Sequence, residues 1–149
     1  MASYGLQTNY DLAVSIGVSQ AGTPPTWTYA NLEDGIDNIS EALNEVVQQY
    51  QFLSDKGFAK NHVTGVAPSF TFTGKRVYGD TAQDFIFGTK YQLDSGRKSS
   101  LKIVDNGSGT AVTLTVDCTI CNIQEYGGAA TDDQSISFEL RFDGQPTIA

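Results

Sequence analysis

Apolar and polar side chains alternate strictly along Ser135-Ile136-Ser137-Phe138-Glu139-Leu140-Arg141-Phe142. Successive side chains of a β-strand point to opposite faces of its sheet, so the four apolar residues would share one face. Glu139 and Arg141 would lie on the other face. A period of two sustained over this length predicts a half-buried strand, which we place at Gln134–Asp143.

Similar segments occur along the rest of the chain, separated by turn residues at intervals of about ten residues. The further strands that the sequence predicts are Asp11–Val18, Thr26–Ala30, Phe58–Val66, Phe70–Val77, Lys90–Leu93, Ser100–Val104 and Ala111–Ile123. Asn106-Gly107 marks a hairpin turn between the last two of these. Many short strands with such spacing predict an all-β fold, a β-sandwich or barrel.

One short α-helix is predicted near residues 80–88. Asp80 is a good N-cap, two helical turns can follow over Thr81–Phe87, and Gly88 would end them. We expect Phe85 and Ile86 to face the sheet.

The segment from Glu33 to Leu53 carries a conflicting signal. Its apolar residues recur at the helical spacing of three and four: Ile36, Ile39, Leu43, Val47, Tyr50 and Leu53. Periodicity alone therefore predicts a helix over Asp37–Leu53.

Charge and composition restrict the function. Nine Lys and Arg stand against 17 Asp and Glu among 149 residues, giving a net charge of -8 and a pI near 4.3. Tight binding to nucleic acid depends on clustered basic residues, so this balance argues against it. The N-terminus lacks a basic start and an apolar run, and no apolar stretch approaches the roughly 20 residues that span a bilayer. We therefore expect a protein made and kept in a cytoplasm, with no membrane insertion of its own.

Candidate catalytic and metal-binding residues are few. Cys118 and Cys121 have the C-x-x-C spacing of redox and zinc sites. However, residues three apart on a strand point to opposite faces, so buried or half-buried thiols are expected. His62 is the only histidine and lacks the neighbours of a catalytic triad. The acidic residues Glu33, Asp34, Asp37 and Glu41 do not follow a calcium-loop pattern and are expected to form a solvated face.

Two short stretches carry a resemblance to a known family. Tyr50-Gln51-Phe52-Leu53-Ser54-Asp55-Lys56-Gly57-Phe58-Ala59 with Val63-Thr64-Gly65 is the first, and Gly79-Asp80 through Asp84-Phe85-Ile86 is the second. Together with the C-terminal strand they resemble the major tail protein, or tail tube protein, of long-tailed bacteriophages. That family is similar to type VI secretion tube proteins and to the inner tubes of contractile tails.

The resemblance implies a single tail tube domain over residues 1–149, with an N-terminal arm over 1–10 and a long hairpin region over about 31–64. It also implies that Asn44–Leu53 is extended and pairs with the segment after Gly57, against the helical periodicity. A short helical turn near residues 37–43 stays open.

The resemblance further implies a virion structural protein without enzymatic activity, cofactor or metal. Six subunits would form a ring by joining four-stranded sheets into an inner barrel, and stacked rings would form the tail tube through which DNA is ejected. Partners would be other copies of the chain, tape measure and terminator proteins, and passing DNA. The location would be the virion tail, after assembly in the host bacterial cytoplasm.

Specific residues follow from the same resemblance. Contacts between subunits and rings are expected at Tyr4, Tyr10, Glu45, Tyr50, Asp55, Lys56, Phe58 and Lys60. Asp117 and Glu139 are candidates to face the lumen, because they lie on the non-core faces of two strong strands; some residues of the acidic run could also line a lumen or contact a neighbouring ring.

Two alternatives remain at the level of sequence. One is a type VI-like or contractile-tail inner tube subunit. The other is a soluble β-sandwich binding module, such as a receptor-binding or carbohydrate-binding domain. An enzyme is the weakest reading, since His, Trp and clustered catalytic carboxylates are scarce.

Overall fold

The computed structural model describes residues 6–149 and contains ten strands and one α-helix. The strands are β1 Ala13–Ala21, β2 Thr26–Asn31, β3 Ile36–Ala42, β4 Val46–Tyr50, β5 Lys60–Gly65, β6 Ser69–Lys75, β7 Lys98–Asp105, β8 Val112–Gln124, β9 Ser135–Phe142 and β10 Thr147–Ile148. The helix α1 spans Thr81–Gly88, and short 3-10 turns lie at Asn9–Asp11, Leu53–Asp55 and Asp94–Arg97. None of the helical segments in this described range is long and apolar enough to cross a bilayer.

The main sheet has the order β2-β1-β7-β8-β9-β6-β3, with every neighbouring pair antiparallel, and β10 adds to β8. The long strand β8 pairs with β7 through Val112–Thr119 and with β9 from Cys118 onward. It therefore belongs to both halves of the sheet. Inward side chains from both halves, such as Ile16 and Leu101 on one side and Phe72 and Phe138 on the other, form one hydrophobic cluster. The predicted all-β fold is confirmed.

The alternation in the C-terminal strand is confirmed residue by residue. Ile136, Phe138 and Leu140 of β9 are buried, and Phe142 packs against the edge of the core. The Phe138 ring stacks on Phe72 at 5.3 Å between centroids and meets Phe87 edge-on at 6.2 Å. These rings tie β9, β6 and α1 into one core.

The predicted helix and its cap are also confirmed. The Asp80 carboxylate accepts a hydrogen bond from the backbone N–H of Gln83 at 3.1 Å, which satisfies one of the free donors at the helix N-terminus. Ile86 is fully buried as expected, but Phe85 is only partly buried. The buried face instead pairs Ala82 with Ile86 and Gln83 with Phe87, because residues four apart share one side of a helix.

The helical turn considered for residues 37–43 is wrong, because Ile36–Ala42 forms strand β3 against β6. The pairing shifts between Ile36, which lies opposite Gly74, and Asn38, which lies opposite Thr73. This bulge inserts one extra residue, Asp37, so Ile36 and Ile39 both point toward the core although they are three residues apart. A bulged strand can therefore produce the same three-residue spacing of apolar side chains as a helix.

The strand predicted at Lys90–Leu93 is also wrong. The backbone N–H of Gln92 bonds to the carbonyl of Thr89 at 2.9 Å, so this segment is a turn that leads into the 3-10 helix. Tyr91 and Leu93 are 88% and 85% exposed. The β-forming side chains here have no neighbouring strand to pair with.

The two cysteines diverge as the strand prediction requires. Cys118 is buried in the core, and Cys121 lies half-buried on the opposite face of β8; both are free thiols. Burial raises the pKa of the Cys118 thiol to about 12, with smaller contributions from the nearby carboxylates of Asp143 and Asp117.

The buried amide of Gln83 connects three backbone segments. Its Oε1 accepts a hydrogen bond from the N–H of Val77 at 2.9 Å, and its Nε2 donates to the carbonyls of Asp34 at 2.8 Å and Lys75 at 3.1 Å. These segments are the β2–β3 connection, the end of β6 and the approach to α1. The side chain is fully buried, so each of these bonds replaces water that cannot reach the site.

We expect Gln83→Leu to lower the free energy of unfolding by about 3 kcal/mol, since it leaves buried backbone groups without partners. The measurement is urea denaturation of dilute protein. The matched control is Gln20→Leu at an exposed position of β1, which we expect to change stability by less than about 0.5 kcal/mol. Equal effects of the two substitutions would contradict the role assigned to the Gln83 amide.

A second polar cluster lies beside α1. The Glu125 carboxylate contacts Lys90 Nζ at 2.6 Å and Arg76 Nε at 3.0 Å, and its side chain is only 9% exposed. The hydrogen bond from Lys90, followed by that from Arg76, lowers the pKa of Glu125 against the opposing effect of burial. A carboxyl group whose pKa is lowered by folding stabilises the protein above its unfolded pKa of about 4.3. That stabilisation is lost as the pH falls through the lowered, folded-state pKa.

We therefore expect Glu125→Gln to lower the melting temperature at pH 7, and the difference from the parent protein to shrink as the pH falls below the unfolded pKa of about 4.3. Thermal unfolding followed by circular dichroism at a series of pH values checks this. Glu45→Gln is the control, because Glu45 is exposed and takes part in no ion pair of the described residues. A pH-independent effect of Glu125→Gln would contradict the ionic origin of the stabilisation.

Candidate assembly surfaces

Strands β4 and β5 form a two-stranded hairpin that is separate from the main sheet. Val47 pairs with Val63, Gln48 with His62 and Tyr50 with Lys60. Every residue of both strands is exposed except Gly65, which is half-buried. The prediction that this region is extended and pairs with the segment after Gly57 is confirmed. Because these residues are exposed, the hairpin lacks a core of its own. An isolated hairpin of two strands is only marginally stable in water.

The hairpin exposes an unusual amount of apolar surface. Leu53 is 96% exposed and Phe58 79% exposed at its tip. Six further large apolar side chains of the same segment are exposed: Val46, Val47, Tyr50, Phe52, Val63 and Val66. Single exposed apolar residues are ordinary, but eight on one projecting element are typical of a surface that a partner covers.

The tip is nevertheless well ordered by local bonds. We define the tip as residues 52–58. The N–H of Asp55 bonds to the carbonyl of Phe52 at 2.9 Å, and Lys56 and Gly57 both have positive φ angles, of 52° and 92°. The Asp55 carboxylate pairs with Lys60 Nζ at 3.2 Å. These bonds define the turn from which Leu53 and Phe58 project.

Most of the residues predicted to contact other subunits fall within this hairpin. Glu45 lies immediately before β4, whereas Tyr50, Asp55, Lys56, Phe58 and Lys60 lie in the strands or the tip. The Asp55 side chain is only 12% exposed and is bound to Lys60, so this pair orders the turn. Lys56 and Phe58 are free to meet a partner, and their contacts stay a prediction.

The predicted region 31–64 divides into two parts. Residues 36–42 belong to the main sheet as β3, and the projecting part begins after Ala42. At its base the N–H of Ala67 bonds to the carbonyl of Leu43 at 2.8 Å, and the Asn44 side chain donates to the carbonyl of Ala67 at 3.0 Å. These bonds close the hairpin where it leaves the sheet.

A second surface is an open groove of about 520 Å³ beside the first half of β3. Its lining combines polar and apolar side chains, with Leu32 and Phe72 buried beneath it. The residues that line it are Asn9, Tyr10, Leu12, Val14, Leu32, Glu33, Ile36, Asp37, Asn38, Ile39 and Phe72. We call it the β3 groove.

The β3 groove brings together residues that the sequence analysis treated separately. Tyr10, predicted as a contact residue of the N-terminal arm, lines it and is 86% exposed. Glu33 and Asp37 from the acidic run lie on its rim, where Glu33 accepts a hydrogen bond from the N–H of Val14 at 3.3 Å. Tyr4 lies outside the described residues.

A third surface is the outer face of β8, β9, β6 and β3. Small polar side chains such as Thr71, Thr73 and Ser137 cover much of it. Both lumen candidates lie on this same outer side of the sheet, Asp117 exposed and Glu139 half-buried. Glu139 is bound by Asn122 Nδ2 at 3.0 Å and by Arg141, which neutralises its charge.

The free edges of the sheet are β2 and β3, the end strands of the order. No strand of residues 6–149 pairs with the outer edge of β3. Its exposed N–H and C=O groups can accept another strand, and soluble proteins usually protect or pair such an edge.

Sequence reasoning missed the β3 groove because its walls come from three distant segments. Of the residues that line it, sequence reasoning had named only Tyr10 and the acidic residues Glu33 and Asp37 as candidates to contact another subunit. Among residues 6–149, no group of three or more His, Cys, Asp and Glu side chains is placed to hold a metal ion.

Solved structures of tail proteins share this architecture. The chain is similar to a chain from the tail of an empty gene transfer agent (GTA) particle with C6 symmetry, with 14% identity and a TM-score of 0.71, covering 97% of this chain and 99% of the other. It is also similar to the SPP1 tail tube, with 18% identity and a TM-score of 0.62 over 95% of this chain and 77% of that one. The predicted tail tube fold is therefore confirmed.

A third similar structure is a chain of the PVC sheath–tube complex of an extracellular contractile injection system, in its extended state. The two chains share 14% identity with a TM-score of 0.59, covering 95% of this chain and 90% of the other. No protein-family model and no curated protein sequence matches this chain.

Proposed function

We propose that this chain is a structural subunit of a phage-type virion tail, in which six copies form a ring and stacked rings form the tail tube. The observation that carries the proposal is the projecting hairpin, whose apolar side chains have no cover within the subunit. A monomer gains nothing from such a surface, whereas a stacked assembly buries it. The near-complete overlap with a tail chain of C6 symmetry supports the same conclusion.

Ring closure would use the edge of β3. The half-sheet β8-β9-β6-β3 from each subunit would join its neighbours, so that the exposed backbone of Ile36–Ala42 gains hydrogen-bond partners. A closed ring of identical contacts removes free edges altogether. The outer face with Thr71, Thr73, Asp117 and Glu139 would then line the lumen.

The tube would act as a passive conduit for DNA ejected into the host. A net charge of -8 and a lumen face of small polar groups offer phosphates few basic partners, so DNA would pass without being held. The subunit would need no catalytic residue, cofactor or metal for this role. Its location would be the virion tail, with assembly in the host bacterial cytoplasm.

Further parts of the proposal concern organisation and partners. The 149 residues would act as one tail tube domain, with residues 1–10 as an arm and the hairpin region as the contact between rings. Tape measure and terminator proteins would set the length and the end of the tube. Tyr10, Tyr50, Lys56 and Phe58 would take part in subunit contacts, together with Glu45 and the Asp55–Lys60 pair that shapes the turn.

An inner tube subunit of a contractile system is the second candidate. The similarity to the PVC sheath–tube complex favours it over a β-sandwich binding module, because that fold match covers almost the whole of both chains. The two kinds of tube differ in whether a sheath surrounds the outer surface. Binding of the assembled tube to a sheath protein would identify the contractile kind.

We expect electron microscopy of the purified protein over a concentration series to show six-fold rings or hollow tubes. The physical reason is that stacking of subunits would cover the apolar surface of the hairpin. The salt concentration is varied as well, and preassembled tube ends are added to parallel samples, because some tubes assemble only from an initiator. Compact monomers under all of these conditions, combined with stabilisation by a small ligand, would favour a binding module instead.

We expect the double substitution Leu53→Ser with Phe58→Ser to abolish tube formation and to leave subunit stability within about 0.5 kcal/mol, because both side chains lie almost fully in solvent. The stronger variant is deletion of residues 55–61, which removes the turn. Sedimentation measures assembly, and urea denaturation measures the fold.

The matched control is Tyr91→Ser with Leu93→Ser, which removes two equally exposed apolar side chains from another part of the surface. It should assemble normally. Normal tubes from the hairpin variants would refute the role of the hairpin in stacking.

A further inference from the structure

We propose that the tip of the hairpin docks into the β3 groove of a second copy of this chain in the next ring. This inference rests on the proposed function, in which rings stack, and it specifies the surface that receives the hairpin. Four features of the described residues support it: the shape of the groove, its charge, its position, and the preformed tip.

The groove matches the chemistry of the tip. Half-buried Leu12, Ile36 and Ile39 form the accessible apolar part of its floor, above the buried side chains of Leu32 and Phe72. Water above such a floor is displaced favourably by apolar side chains. The tip offers Leu53 and Phe58, the most exposed apolar side chains of the hairpin. The volume of about 520 Å³ leaves room for more than one bulky side chain.

Charge complementarity favours a second copy of this same protein as the partner. Glu33 and Asp37 lie on the rim of the groove, and Asp34 is exposed beside them. The tip carries Lys56, and Lys60 follows close behind it. Lys60 is paired with Asp55 of its own subunit, so Lys56 is the tip cation that would meet the acidic rim. Opposite charges around an apolar contact favour the correct register of docking.

The positions of the two surfaces favour stacking. The groove lies beside the first half of β3, whereas the hairpin leaves beyond Ala42 at the other end of the same strand. The six steps from Ile36 to Ala42 span about 20 Å at the usual rise of a strand. A projection at one end and its receptor at the opposite end form a head-to-tail contact, which repeats without limit along an axis.

The tip also needs little reordering on docking. Its turn is closed by the bond from Asp55 N–H to Phe52, by the Asp55–Lys60 pair, and by the bond from Gln51 Nε2 to the Gly57 carbonyl at 3.2 Å. The rings of Tyr50 and Phe52 stack at 5.6 Å. A preformed element loses less conformational freedom on binding than a flexible one.

The first test is disulfide trapping between copies. Ser54→Cys lies in the exposed tip and keeps Leu53 and Phe58, and Asn38→Cys lies on the rim of the groove. Both variants carry Cys121→Ser, while buried Cys118 stays in place. We expect mixed tubes of the two variants to yield a covalent dimer under mild oxidation, and neither variant alone to do so. Ser54→Cys mixed with Thr110→Cys, on the exposed β7–β8 turn, is the control.

The second test is a charge exchange. Asp37→Lys and Lys56→Asp should each lower tube yield at least tenfold at low salt, and the double variant should recover most of it. Asp is chosen at position 56 because it tolerates a positive φ angle. Thermal unfolding of each variant confirms that the subunit stays folded.

The outcomes separate this inference from the proposed function. Tubes that form normally but give no covalent dimer between positions 54 and 38 would overturn the docking and leave the tube intact. A dimer between Leu6→Cys and Asn38→Cys would assign the groove to the N-terminal segment of a neighbour and also overturn it. Complete failure of the parent protein to assemble would remove the stacking on which the inference rests.

Discussion

Three hydrogen bonds between the Gln83 side-chain amide and the backbone, together with one from Arg76, hold the corner on which the rest of the structure depends. They join the β2–β3 connection at Asp34 to the end of β6 at Lys75 and to Val77 before the helix. A Cβ at Gly74 would collide with the Gly35 carbonyl oxygen, so the β2–β3 connection approaches β6 closely here. This corner determines where β3 starts. The groove opens beside that start, and the hairpin leaves the main sheet at the other end of the same strand.

Stability and assembly are carried by different parts of the chain. The sandwich contains the buried aromatic and aliphatic cluster, the capped helix and the Arg76–Glu125–Lys90 ion pairs. The hairpin contributes almost nothing to that core and instead exposes apolar side chains in a rigid turn. For a subunit that must fold first and polymerise later, this division lets the contact surface stay uncovered without endangering the fold.

Two carboxylates at the candidate lumen face are paired with cationic side chains. Glu139 is held by Arg141 and Asn122, and Asp143 contacts both Lys98 and Thr119. Each of these carboxylates has a cationic neighbour, so the local field is weaker than the net charge of the chain suggests. In the proposed tube, passing DNA would meet a polar surface with little to hold or strongly repel it.

The sequence by itself determined the strands with strict alternation, such as Ser135–Phe142, and the capped helix after Asp80, because these depend on local periodicity and local hydrogen bonds. It also placed a hairpin around Gly57 through the family resemblance. Tertiary structure alone decided that Ile36–Ala42 is a bulged strand, since the extra residue Asp37 gives core-facing isoleucines a helical spacing. It alone formed the β3 groove, because Tyr10, Leu32 and Phe72 become neighbours only when the sheet folds over on itself, and no local pattern encodes that closure.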